Sequence, residues 1–270
     1  MAFDRSRIGE QADDLPDLRD LADFTSQTSD VCLRRLQAYD PMKLADAWRR
    51  ASPRTPEEMR RFYATTDLYL WDLTVWHRSP GYRTVEDATA ALVERFPPTQ
   101  FRTALDYGSG IGTTAIRLAE AGYAVTLADV PGVSMEYAKF RLRRRGIPFG
   151  TVEITSDEPA LDGDFDVMTC FDVLEHIPRP DRVLWRMTRH LRPGGGMAMV
   201  AAFFTDQSHP QHLDENTRLM RDDWPMVVSA GGLRMLQPNL FVKLGAPQTL
   251  LRKIHYRLWR WTGIGCRCET

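Results

Sequence analysis

The chain has 270 residues, and its 35 basic side chains nearly balance 36 acidic ones, for a formal net charge of -1. This balance provides no general attraction to a polyanion, so nucleic acid is not an expected partner. At this length, one large core with a helical appendage is easier to build than two independent domains.

Neither export nor membrane insertion is indicated. The N-terminal residues lack the apolar run of a signal peptide. The longest apolar stretch, 197–204, is far shorter than the roughly 20 residues of a membrane-spanning helix, so we expect no transmembrane segment. The 4 cysteines are too few for a disulfide framework and lack paired zinc-binding spacing. These features predict a cytoplasmic location.

Residues 1–98 are predicted to form a helical extension. The first thirty or so are rich in aspartate and poor in large apolar side chains, and we expect them to be mobile. Helical spacing follows, and Thr55-Pro56-Glu57-Glu58 is a helix start with an N-cap threonine and carboxylates at the positive end of the helix dipole. A single helix is predicted to run from this start through Trp76. Pro97-Pro98 ends the extension.

Short apolar strands alternate with helices over residues 99–248. This order predicts an α/β fold in which a doubly wound, mostly parallel sheet carries helices on both faces. The predicted strands are 104–107, 124–129, 152–155, 165–171 and 197–203, with closing strands at 233–236 and 240–244.

A glycine-rich turn follows the first predicted strand. Asp106 precedes Gly108-Ser109-Gly110-Ile111-Gly112, and a helix begins at Thr113. Glycines let the backbone approach a ligand closely, and the amides at a helix start supply donors. Asp129 ends the next strand, about 20 residues on, where a carboxylate can accept hydrogen bonds from a ribose. Together they predict an adenosine-containing ligand.

The spacing resembles that of the class I S-adenosylmethionine-dependent methyltransferases, whose first motif reads acid-x-G-x-G-x-G. The resemblance implies a Rossmann-like fold with S-adenosyl-L-methionine as cofactor. In that family the first acid lies near the methionine amino group and the acid after the second strand binds the ribose. The cofactor-binding residues it implies are Asp106, Gly108, Ser109, Gly110, Gly112, Asp129, Val130, Asp157, Cys170 and Phe171.

The resemblance covers about residues 101–204. Within the family, this segment is most similar to the small-molecule branch that includes ubiquinone and menaquinone methyltransferases. It therefore implies methyl transfer to an oxygen, nitrogen or carbon of a small organic acceptor in biosynthesis. Methylation of a protein or RNA, and cofactor binding without catalysis, are the alternatives. Phe171-Asp172-Val173 lacks the Asn-Pro-Pro-aromatic pattern of DNA amino methylation.

Methyl transfer from a sulfonium requires an aligned acceptor, exclusion of water and, for a neutral oxygen or nitrogen, a base. Glu175 and His176 follow the fourth strand, at the predicted position of the sulfonium, and are the predicted catalytic residues. Two alternatives stay open. The pair either shapes the loop, or joins Asp172 in binding a divalent cation, as the ubiquinone-type likeness suggests.

The predicted acceptor contacts come from two segments. Tyr63, Tyr69 and Trp71 of the extension form either ordinary helix core or a lid over the acceptor. His209 and His212 follow the fifth strand, in a loop that either reaches over the acceptor or is solvated.

Residues 249–270 are predicted to be a basic amphipathic helix and tail. The helix is expected to pack on the domain, with peripheral contact to an anionic membrane as the alternative. The sequence does not determine the oligomeric state.

Overall fold

The computed structural model describes residues 16–156, 160–220 and 223–245, together with Ile254. Its centre is a seven-stranded sheet with the order β3-β2-β1-β4-β5-β7-β6. The strands are β1 (Thr103–Tyr107), β2 (Ala124–Asp129), β3 (Phe149–Glu153), β4 (Phe165–Phe171), β5 (Leu191–Val200), β6 (Leu233–Gln237) and β7 (Leu240–Lys243).

Neighbouring strands among β1 to β5 are parallel, whereas β7 runs antiparallel to β5 and β6 antiparallel to β7. The predicted doubly wound, mostly parallel sheet is confirmed. Both β1 and β4 are almost wholly buried, as expected for central strands covered on both faces. Parallel pairing places the carboxyl ends of β1, β2 and β4 at one edge of the sheet.

In the described part of the chain, helices precede the sheet and connect its strands. None of the described helices is long and apolar enough to cross a membrane. The helices are α1 (Pro16–Thr25), α2 (Ser29–Gln37), α3 (Met42–Ala51), α4 (Pro56–Thr65), α5 (Leu68–Trp76), α6 (Arg83–Arg95), α7 (Thr113–Ala121), α8 (Val133–Arg144), α9 (Pro180–Arg189), α10 (Asp214–Met220) and α11 (Trp224–Ala230).

The last of the N-terminal helices, α6, packs directly on the sheet. Leu92 and Phe96 are buried in one cluster with apolar residues of β4 and β5. A Cβ on Gly196 of β5 would lie 2.4 Å from Cδ2 of Phe96, so a glycine is needed where this ring meets the sheet. Helix α6 therefore belongs to the packing of the sheet, and we call α1–α5 the N-terminal layer.

The expectation that the first thirty residues are mobile is wrong for the described part of that segment. Helix α1 buries Leu18 and Leu21, and Asp20 is only 3% exposed. The aspartates of α1 pair with arginines in and just after α8, and among them Asp20 is buried whereas Asp17 and Asp23 stay partly exposed. Composition alone cannot show such pairing between distant segments. Residues 1–15 lie outside the described structure.

Several predicted boundaries also differ, among them the starts of β3 and β5, which lie at Phe149 and Leu191 instead of 152 and 197. The expected single helix after Thr55 is interrupted near Thr66, giving α4 and α5. The fifth strand ends at Val200 instead of 203, because the Ala202 amide donates to the Glu175 carboxylate rather than to a neighbouring strand. Helix α10 begins within the segment predicted to be a polar loop. In the predicted helix and tail, 249–270, only the exposed Ile254 is described.

Candidate active site

A cavity lies at the carboxyl ends of β1, β2 and β4, beneath α4 and α5. The strand ends and the glycine-rich turn form one wall, which includes Asp106, Gly108 and Asp129. The opposite wall belongs to the N-terminal layer and includes Tyr63 and Tyr69. The regions predicted to hold cofactor and acceptor therefore face the same space.

The glycine-rich turn adopts backbone conformations that favour glycine. Gly108, Gly110 and Gly112 have φ values of 74°, 51° and 76°. A Cβ on Gly108 would lie 2.1 Å from a methyl carbon of Val173, so space as well as backbone geometry excludes a side chain. At Gly112 a Cβ would lie 2.9 Å from that of Ala138, which assigns this glycine to the packing of α7 against α8.

Asp106 is a buried carboxylate with one oxygen left over. The Thr169 hydroxyl donates to its Oδ1 at 2.7 Å, while its Oδ2 is buried without a hydrogen-bond partner among the described residues. Burial raises the pKa of Asp106 to about 7. An unpaired buried acceptor beside a cavity is suited to a cationic ammonium group of a ligand.

Asp129 lies at the end of β2 and connects the strand ends to the glycine-rich turn, which together form one wall of the cavity. We call this wall the cofactor wall, after its predicted ligand. Its Oδ2 accepts the Gly110 amide at 2.5 Å, and its Oδ1 accepts the Val130 amide at 2.7 Å. Each carboxylate oxygen has further acceptor capacity, so both can still receive hydroxyl groups of a ribose. Burial raises the pKa of Asp129 to about 6.

The other predicted cofactor residues fall in different places. Ser109, Val130 and Phe171 line the cavity. Cys170, in β4, is fully buried, and its side chain belongs to the hydrophobic core. Asp157 lies outside the described residues.

Sequence reasoning missed several residues of the lining because none of them belongs to a recognisable motif. Their only available signal is their position after a strand or on one face of a helix. These residues are Met59, Arg60, His77, Tyr82, Ser134, Ile154 and Ser156.

Glu175 and His176 share a short 3-10 turn after β4 but face different surroundings. Glu175 is 1% exposed, and its Oε1 accepts the Ala202 amide at 2.8 Å. Burial, together with the charge of Asp172, raises the pKa of Glu175 to about 8. This carboxyl group therefore holds the chain after β5 in place.

His176 lines the cavity. Its Nδ1 lies 3.3 Å from the Gln211 carbonyl oxygen, which can only accept, so Nδ1 carries the proton and Nε2 keeps a lone pair. Burial, assisted by the charge of His212, lowers the pKa of His176 to about 3. The ring is therefore neutral near pH 7, and its titration does not fall in the neutral range typical of an exposed histidine.

The two histidines of the loop after β5 have separate environments. His212 is buried, and its ring centroid lies 4.7 Å from that of His176. Its Nδ1 donates to the Phe204 carbonyl at 2.8 Å. His209 is half-exposed and bonds Asp206 at 2.9 Å. Only His212 lies directly beside the predicted catalytic pair.

The potential metal ligands that lie together in the structure differ from the set that the sequence suggests. Potential ligand atoms of Glu175, His176 and His212 lie within 4.8 Å of one another. One carboxylate and two imidazoles form a donor set that suits a divalent transition metal. Asp172 instead accepts the Trp76 indole N–H at 3.0 Å.

The aromatic residues of the N-terminal layer divide between cavity and core. Tyr63 and Tyr69 line the cavity, and the ring centroid of Tyr63 lies 6.1 Å from that of His176. Trp71 is 1% exposed, and the Arg35 guanidinium lies 3.9 Å from its ring centroid. Trp71 therefore packs within the N-terminal layer instead of on the cavity.

A glycine-rich turn after the first strand of a doubly wound sheet, with acids at the ends of β1 and β2, defines the site of the class I S-adenosylmethionine-dependent methyltransferases. Residues 75–240 match the family described as "Methyltransferase domain". The chain belongs to this methyltransferase family, whose cofactor is S-adenosylmethionine.

Similar proteins include a ubiquinone biosynthesis O-methyltransferase of Escherichia fergusonii, 32% identical over 150 residues, covering 53% of this chain and 62% of the relative. The enzyme of that name in Escherichia coli O157:H7 is 31% identical over 141 residues, covering 52% and 58%. The chain thus spans less than two thirds of these relatives. An O-methyltransferase family protein from Burkholderia thailandensis shares the fold, with a TM-score of 0.52 at 14% identity over 76% of this chain and 72% of that one.

Proposed function

We propose that this protein transfers the methyl group of S-adenosylmethionine to an oxygen, nitrogen or carbon of a small organic acceptor held beneath α4 and α5. The observation that carries the proposal is the shared cavity. It connects the carboxylates of Asp106 and Asp129 to the Tyr63 and His176 rings. The names of the two relatives, ubiquinone biosynthesis O-methyltransferases, support an oxygen acceptor.

The cofactor wall matches the chemical groups of S-adenosylmethionine, which supplies an electrophilic methyl group on a sulfonium. The unpaired oxygen of Asp106 is placed to bind the methionine ammonium. Asp129 retains acceptor capacity for the ribose hydroxyls, and the positive φ values of Gly108 and Gly110 shape the turn beside it. Asp157 remains a predicted cofactor contact.

In the acceptor half, aromatic walls exclude water and His176 provides the base. Tyr63, Tyr69 and Trp76 line this part of the cavity. The lone pair on Nε2 of His176 takes the acceptor's proton, while the Gln211 carbonyl holds the ring through Nδ1. Because the fold lowers the pKa of His176, this base suits an acceptor whose proton becomes more acidic as its oxygen or nitrogen is methylated.

Replacement of the base tests this assignment. We expect His176→Ala to lower turnover about 100-fold with nearly unchanged cofactor affinity, because general bases contribute about 10²- to 10⁴-fold. His190→Ala is the matched control, since its Nδ1 also bonds a backbone carbonyl, that of Gly163, at the opposite end of β4. Equal turnover of the two variants would assign His176 a structural role.

The acceptor class is tested with methyl-labelled S-adenosylmethionine and a cell extract separated by ultrafiltration. A labelled product in the low-mass fraction that separates from S-adenosylmethionine by chromatography supports a small acceptor. Label retained with protein or RNA would support the macromolecular alternative. Cofactor binding without transfer to either fraction would indicate a binding protein.

The cluster of Glu175, His176 and His212 supports a metal-assisted variant of the same reaction. A divalent cation held there would lower the acceptor's pKa and replace the base. Treatment with a chelator distinguishes the metal-assisted reaction from the reaction in which neutral His176 is the base. Loss of turnover with a chelator, restored by added divalent cation, favours the metal, whereas an unchanged rate favours the neutral imidazole.

A further inference from the structure

We propose that Arg141 positions the glycine-rich turn for the cofactor and thereby couples cofactor binding to the docking of α1. The inference rests on the proposed use of that turn in cofactor binding. It concerns a residue of α8 that is separate from the assigned cofactor contacts.

One side of the Arg141 guanidinium holds the glycine-rich turn. Its Nη1 donates to the Ile111 carbonyl at 2.7 Å and to the Thr113 hydroxyl at 3.0 Å. These two residues flank Gly112, which has a φ of 76°. The planar guanidinium thus bonds both sides of a turn whose conformation determines where its amides point.

The other side of the same guanidinium holds α1. Its Nη2 donates to the Asp17 carboxylate, and its Nε lies 3.7 Å from a carboxylate oxygen of Asp20. None of the described residues of α1 lines the cavity. Arg141 is therefore a direct link between a helix remote from the ligand and the turn proposed to bind it.

Burial makes this link cooperative. The Arg141 side chain is only 4% exposed, and a buried cation that loses its carboxylate partners is strongly destabilised. If α1 leaves, Arg141 is expected to move toward water and release the Ile111 carbonyl. Conversely, a cofactor that orders the turn favours the docked position of Arg141 and α1, since coupling between two binding events is reciprocal.

A second contact connects the N-terminal layer to the same turn. Nδ1 of His77, on the loop after α5, lies 2.9 Å from the Thr113 hydroxyl, which also accepts from Arg141. His77 lines the cavity and stacks on Tyr82, with ring centroids 4.2 Å apart. The polar network therefore extends from α1 to the cavity wall.

Arg145 provides a matched control within the same ion-pair cluster. Its Nη1 donates to Asp20 at 2.6 Å and to the Arg141 carbonyl at 3.0 Å, and its Nη2 lies 3.7 Å from Asp17. These contacts stabilise α1 on α8 without involving the glycine-rich turn. Arg145→Gln therefore measures the cost of a weaker cluster with the Arg141 link intact.

The first experiment is calorimetric titration of the full chain with S-adenosylhomocysteine. We expect Arg141→Gln to weaken binding at least tenfold, Arg141→Lys to retain part of the affinity, and Arg145→Gln to stay within threefold of wild type. At saturating cofactor, the acceptor KM of Arg141→Lys should be unchanged. Equal affinities for the Arg141 and Arg145 variants would overturn the proposal. Should Arg141→Gln fail to fold, the affinities of Arg141→Lys and Asp17→Asn test the proposal instead. Both variants are expected to bind S-adenosylhomocysteine more weakly than Arg145→Gln does.

The second experiment measures hydrogen exchange of the α1 amides with and without S-adenosylhomocysteine. We expect the ligand to slow exchange of these amides in the wild type, and to slow it less in Arg141→Lys. Exchange that does not respond to the ligand in a wild-type protein that binds it overturns the coupling alone. A wild type that does not bind S-adenosylhomocysteine at all overturns both this inference and the proposed cofactor site.

Discussion

The two halves of the cavity are built in different ways. The cofactor half comes from consecutive strand ends, with Asp106 near the end of β1 and Asp129 at the end of β2, 19 residues beyond Gly110. The acceptor half combines α4, α5, the turn after β4 and the loop after β5. There Trp76 bonds Asp172, 96 residues away, and His176 bonds Gln211, 35 residues away.

This difference separates a local motif from a site assembled by tertiary contacts. The cofactor half needs only a parallel βαβ unit, whose geometry brings successive strand ends together. The acceptor half depends on how the N-terminal layer docks over the sheet. We therefore expect variants in the first half to affect cofactor affinity, and variants in the second to affect mainly turnover.

The largest expected effect concerns where the sheet domain begins. Deleting residues 1–98 removes α6, and with it Leu92 and Phe96, from the core of the sheet. Loss of buried side chains of this size costs about 2–5 kcal/mol each, against a typical total stability of about 5–15 kcal/mol. We expect this truncation not to fold, whereas deletion of residues 1–78, which retains α6, leaves a folded protein.

Circular dichroism and thermal unfolding measure the difference between the two truncations. A folded 99–270 fragment that binds cofactor would show that α6 is dispensable. It would also place the whole of residues 1–98 outside the sheet domain.

The next effect tests the cofactor half. Asp129→Ala removes the proposed acceptor for the ribose and the partner of the Gly110 amide. Charged hydrogen bonds contribute about 1.5–3 kcal/mol, so we expect a loss of about 10- to 150-fold in cofactor affinity. Calorimetric titration is the measurement, with Asp206→Ala in the loop after β5 as control. Unchanged affinity in a folded Asp129→Ala protein would mean that the ribose is held elsewhere.

A smaller effect, in the same half, is a pH dependence of binding. Only the ionised form of Asp106 attracts an ammonium, and its pKa in the fold is raised to about 7. Cofactor affinity should therefore rise about tenfold between pH 6 and pH 8, with uptake of the ligand releasing a proton.

Asp106→Asn should remove that slope, which calorimetry at several pH values can measure. The stability of the free protein changes with pH in the opposite direction. Because the folded state binds this proton more tightly than the unfolded chain does, its contribution to stability is full at acid pH and is lost as the pH rises through about 7. A slope that survives in Asp106→Asn assigns the titration to another group.

The smallest effect belongs to the acceptor half. Trp76→Phe removes the indole N–H that bonds Asp172 but keeps an aromatic wall. A net hydrogen bond contributes about 0.5–1.5 kcal/mol, so we expect kcat/KM for the acceptor to fall about 2- to 10-fold with unchanged cofactor affinity. Trp185→Phe is the control, since its N–H bonds the Val227 carbonyl away from the cavity. A loss of cofactor affinity in Trp76→Phe would contradict the division into halves.

The sequence by itself determined the alternating strand and helix order, the glycine-rich turn and the two acids of the cofactor half. These are local signals. Apolar strands of four to seven residues, a following turn and a helix start all lie within one short segment, and parallel pairing then leaves few possible arrangements. The mostly parallel sheet and the positions of Asp106 and Asp129 on one wall follow from them.

Tertiary structure alone decided the remainder. Whether Tyr63 or Trp71 faces the cavity depends on how α4 and α5 dock, and both residues lie in the same aromatic-rich segment of the sequence. The order of α1 depends on charge pairing with α8 across more than a hundred residues. Burial lowers the pKa of His176 and raises that of Glu175, so their chemistry is determined by desolvation, a property of the assembled fold that residue identity does not encode.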